Sequence, residues 1–78
     1  MKKTEVYHIV FETDVCTWKV EKEGNPRPIT RTGEKDAAIR AAKSLARSAP
    51  HGEVVIHRRD GAIQQRCSYG ADPAAGLA

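Results

Sequence analysis

The sequence predicts an α+β domain: a four-stranded antiparallel sheet, in the order β-β-α-β-β, with one helix packed on one face. Three observations carry this reading. Residues 6–11 and 17–22 are short runs rich in β-branched and aromatic side chains, joined through Thr13-Asp14. Residues 53–67 repeat the arrangement around Asp60-Gly61, the strongest short-range hairpin signal in the chain. Between the two hairpins lies one alanine-rich stretch with apolar residues at helical spacing.

Each element follows from its residues. Val6-Tyr7-His8-Ile9-Val10-Phe11 is apolar almost throughout, as suits a central strand with both faces at least partly covered. In Thr17-Trp18-Lys19-Val20-Glu21-Lys22, Trp18 and Val20 alternate with polar residues, so this strand is half-buried. Glu23-Gly24-Asn25-Pro26-Arg27-Pro28 breaks the pattern as a loop, with Ile29-Thr30-Arg31 a brief extension of the chain. Thr32 is the expected helix N-cap, with Glu34 and Asp36 in the first turn, where the helix dipole favours negative charge. Ala38, Ile39, Ala42, Leu45, Ala46 and Ala49 then form one apolar stripe, and Pro50-His51-Gly52 stops the helix near Ser48. Val54-Val55-Ile56 centres the third strand, and Ile63 anchors the fourth beyond a type I′ turn at Asp60-Gly61. If the crossover skips strand one, the strand order is 2-1-3-4, with strand three antiparallel to strand one.

Seventy-eight residues allow one small domain. It is expected over residues 6–69, with residues 1–5 an extension and 70–78 a flexible tail, of which 74–78 are expected to be dispensable. A core this small leaves no room for a deep cavity. The net charge is +3, and all of the surplus lies in residues 39–78, which hold six basic and three acidic side chains. Such a surplus is compatible with phosphate contact but also with plain solubility. Cys16 and Cys67 are too few for a disulfide framework, and the proposed strand order sets them near opposite edges. No run approaches a membrane span, and a reduced cytoplasmic location is expected.

Tyr7-His8-Ile9-Val10, Trp18-x-Val20, Gly24, the alanine-rich helix, Val55-Ile56-His57-x-x-Asp60-Gly61-x-Ile63 and Tyr69-Gly70-x-Asp72-Pro73 together resemble a short bacterial family, domain of unknown function 2188. The resemblance spans about residues 6–73, with Phe11 where such sequences often carry proline. It implies a small bacterial α+β domain and brings no activity, cofactor or catalytic residue.

Two surfaces remain as candidates for function. If Tyr7, Ile9, Phe11, Val54 and Ile56 face the helix, then His8, Val10, Val55 and His57 share the open side of the sheet. With Lys19 and Arg66 they form the expected binding face, for an unknown protein partner or a second copy. Strands one and three are neighbours in the proposed order, which brings the two histidines near one another. A metal needs three or four ligands, and CxxC, HxxxH and HExxH spacings are all missing, so neither metal, cofactor nor catalysis is expected. The alternative is a weak, sequence-independent nucleic-acid binder. It would use Arg40, Lys43 and Arg47, which share one helix face, with Arg58 and Arg59 of the second hairpin. A charged outer face is also the ordinary dress of a surface helix, and aromatic platforms for bases are few.

Overall fold

A computed structural model describes residues 4–70 of the chain. The elements are β1 (Glu5–Glu12), β2 (Thr17–Lys22), β3 (Pro28–Thr32), α1 (Lys35–Ser48), β4 (His51–His57) and β5 (Ile63–Gly70). They build one five-stranded sheet, in the order β3-β2-β1-β4-β5, with α1 packed on one face. The α+β class, the single helix and the central place of β1 agree with the sequence. The expectations for residues 1–3 and 71–78, including the dispensable tail, lie outside the described residues.

The four-stranded, fully antiparallel sheet needs correction. The segment around Ile29 is a full strand paired with β2, and β1 runs parallel to β4 while every other pair is antiparallel. One fact explains both differences. With β3 formed, the chain reverses once more before the helix, so β3 runs in the direction of β1. The helix then carries the chain back, and β4 starts from the end where β1 starts. A βαβ unit joined by a helix makes its two strands parallel for the same reason.

The core lies between α1 and the sheet. Ile9, Val20 and Val54 are fully buried, with Tyr7, Trp18 and Ile56 nearly so. On the helix, Ala38, Ala42 and Ala46 follow at intervals of four and are fully buried, flanked by the half-buried Ile39 and Leu45. Small residues on the contact stripe let the helix axis approach the sheet closely. The closest approach falls at Gly52 of β4, which lies against the backbone of Ala46.

Two local expectations also change. Thr32 closes β3, and its hydroxyl donates to the Glu34 carbonyl at 2.6 Å, while Glu34 takes the N-cap position without a side-chain cap bond. The Asp60-Gly61 turn is not type I′, because Asp60 keeps a negative φ and only Gly61, at +94°, is left-handed. The Gly61 amide donates to the Arg58 carbonyl and the Arg58 amide to the Ala62 carbonyl. This is a three-residue hairpin closing on a left-handed glycine, and the Asp60 carboxylate accepts from the Ala62 amide. Cys16, exposed in the β1–β2 turn, and Cys67, half-buried against the core, are both free thiols.

Candidate functional site

The open sheet face is built by alternation. Pairing sets His8 between Glu21 on β2 and Val55 on β4, and sets Val55 between His8 and Arg66 on β5. Val10 lies opposite Lys19. All six residues of the expected sheet-face site therefore share one side of the sheet. Gln64, which the same alternation would add, instead bonds Lys35 at the start of α1, because a register shift between Ile56 and His57 breaks the alternation in β5.

Two properties of this face differ from an apolar docking surface. Val55 is 0% exposed although it lies outside the cluster packed against the helix. The cations are matched by carboxylates. Lys19 lies 3.3 Å from Glu21 and 3.8 Å from Glu12, Arg31 lies 2.7 Å from Glu12, and Arg66 lies 3.0 Å from Glu53. The Arg31 guanidinium, first by its hydrogen bond and then by its charge, holds the Glu12 carboxyl below its ordinary value against the opposing effect of burial; Lys19 adds to this. A carboxylate so depressed stabilises the fold above its unfolded value, and that contribution is lost as pH falls through the folded one. Glu12→Gln is thus expected to lower Tm at neutral pH, with the gap to the wild type closing in acid. Thermal melts of both proteins across pH check this, and a gap unchanged in acid would refute it.

The histidines do meet. His8 Nδ1 lies 3.1 Å from His57 Nε2, with ring centroids 5.3 Å apart. The outer nitrogens are also engaged, His8 Nε2 with Glu23 Oε1 at 2.9 Å and His57 Nδ1 with the Gly61 carbonyl oxygen at 3.1 Å. Glu23 and Gly61 were not legible as partners, because each belongs to a turn whose shape composition does not specify. Among the described residues no group of three or more His, Cys, Asp or Glu converges on one point.

On the helix side, Arg40, Lys43, Ser44, Arg47 and Ser48 line an open groove of about 480 Å³. Arg58 and Arg59 occupy the β4–β5 turn, where the Arg59 guanidinium lies 4.7 Å from the Phe11 ring. Lys35, which sequence reasoning missed, stands 4.9 Å over Trp18, and Arg47 stands 5.4 Å over Tyr69 at the other end of α1. The basic residues thus form two groups, one along the helix and one at its N-terminal end. Three of the four aromatic rings are covered by a cation, and the fourth, Tyr7, is buried. Among the described residues no helix is long and apolar enough to cross a membrane.

No curated protein and no solved structure matches the chain. A family model for an uncharacterised protein conserved in bacteria, DUF2188, matches residues 7–69. That span runs from β1 into β5 and takes in the histidine pair, the helix and both hairpins, so the chain belongs to the DUF2188 family.

Proposed function

We propose that the protein is a small non-catalytic binding module that takes a polyanion, namely nucleic acid, on its helix side through phosphate contacts. The uneven pairing of charge carries this reading. Lys19, Arg31 and Arg66 on the sheet face each have a carboxylate partner. Lys35, Arg40, Lys43, Arg47, Arg58 and Arg59 form no ion pair among the described residues. A phosphate can approach these cations without breaking an existing pair, and each contact releases counterions. The covered rings offer no stacking platform, so recognition is of backbone and not of sequence.

Binding through the sheet face draws less support. Two exposed valines would contribute roughly 1.5–3 kcal/mol each on burial. Val55, however, is already buried and Val10 is half-buried, so little apolar area is left to cover.

Fluorescence anisotropy with a generic DNA duplex, read across salt concentrations, tests the proposal. Affinity should fall linearly on a log–log plot, and Arg40→Glu with Lys43→Glu should flatten the slope by roughly 0.9 for each lost phosphate contact. The paired sheet-face variant, Val10→Thr with Lys19→Gln, should bind like the wild type. Binding that ignores salt, or is lost only in the sheet-face variant, would overturn the assignment. Self-association lost only in that variant would return the sheet face as the binding surface.

A further inference from the structure

We propose that His8 and His57 form a two-nitrogen site for a borderline divalent transition ion such as Zn²⁺, Ni²⁺ or Cu²⁺. The argument starts from the outer contacts. A carbonyl oxygen only accepts hydrogen bonds, so His57 Nδ1 must carry the proton it donates to Gly61. The Glu23 carboxylate likewise accepts, so His8 Nε2 carries the proton there. A neutral imidazole holds one ring proton. The two inner nitrogens, His8 Nδ1 and His57 Nε2, then present lone pairs to each other across 3.1 Å. Facing lone pairs repel, and a cation shared between them relieves the repulsion.

The spacing suits a metal ion. Two imidazole nitrogens bound at about 2.0–2.1 Å and 3.1 Å apart subtend roughly 100° at the ion, an ordinary angle between neighbouring ligands, reached once the rings, which meet nearly head-on at 5.3 Å between centroids, tilt toward one side. The outer contacts are those that orient metal-binding histidines, one to a carboxylate and one to a backbone carbonyl. The rings stand on adjacent parallel strands and are held from behind by Glu23 and Gly61, so a tilt of the two rings is the adjustment that binding requires. Imidazole nitrogen selects borderline ions over Mg²⁺ and Ca²⁺, which prefer oxygen. With two protein ligands, water or an exogenous donor completes the coordination, and the ion is held exchangeably.

The test titrates the whole chain with ZnCl2, using MgCl2 as the control, by calorimetry and thermal melting. One Zn²⁺ per chain is expected, with Tm rising with the logarithm of free Zn²⁺ and unmoved by Mg²⁺. His8→Gln and His57→Gln should each abolish the effect, Glu23→Ala should weaken affinity roughly 10-fold, and His51→Gln should change nothing. Electron paramagnetic resonance of the wild-type chain with one equivalent of Cu²⁺ should show two coordinated nitrogens, a readout that needs no variant to fold. No uptake at millimolar Zn²⁺ would mean that a proton fills the gap, and the proposal fails. It fails equally if binding persists in His8→Gln or His57→Gln, or disappears in His51→Gln.

Discussion

Trp18→Ala should leave the domain largely unfolded at room temperature. Trp18 is 6% exposed, on the helix-facing side of β2, within the cluster formed by Ile9, Val20 and the alanines of α1. Its ring also contacts Phe11, at 5.0 Å between centroids, and lies beneath Lys35. Deleting a buried tryptophan costs about 3–5 kcal/mol, from lost transfer energy and the cavity left behind. A single core in a chain this short supplies about 3–5 kcal/mol of stability in total, so the loss takes most or all of it. Alanine on the helix side cannot close the gap, because the methyl groups of Ala38, Ala42 and Ala46 are too short to extend into it. Trp18→Phe should keep the fold with a smaller loss. Urea titrations followed by circular dichroism measure both, and an alanine variant as stable as the wild type would mean that the ring is not a core anchor.

Gly52→Ala is expected to rank next, and for a different reason. Here the substitution adds a methyl where the first removed an indole ring. A β-carbon at Gly52 would press on the Ala46 carbonyl oxygen and come within 2.7 Å of the Ala46 Cα. Both are backbone atoms, so the helix itself must move off β4, opening the contacts of Val54 and Ile56 as it does. Overpacking of this kind costs typically 1–3 kcal/mol, and more where backbone must shift. Two controls sharpen the prediction. Gly33→Ala should be close to neutral, since nothing lies within 4 Å of a β-carbon there. Ala46→Gly should not rescue Gly52→Ala, because the collision is with backbone that glycine retains. Rescue by Ala46→Gly would show that the close approach is between side chains, and the account of helix–sheet packing given above would be wrong.

The helix stripe was legible because periodicity reports burial directly. Ala38, Ala42 and Ala46 recur on one face whatever the helix packs against. The grouping within β1 was legible for the same reason: alternation put Tyr7 with Ile9 and His8 with Val10, while the tertiary structure turned the first pair to the helix. Val55 shows where this reasoning stops. Its pairing of sides with His57 followed from alternation, but its complete burial, at a position paired with His8 and Arg66, did not. Burial on an uncovered face is a property of neighbours, and composition does not name them.

By itself, then, the sequence determined the class of fold, the helix, which residues of each central strand share a side, and the family. These are local quantities, set by repeats of two and of about 3.6 residues. The tertiary structure decided strand direction, since one additional short strand, β3, reversed the chain and made β1 and β4 parallel. It also decided the histidine chemistry. His8 and His57 are 49 residues apart, and both the gap between them and the groups behind them depend on pairing register and on two turns. Register and turn shape are global compromises of packing, so no stretch of residues read alone contains them.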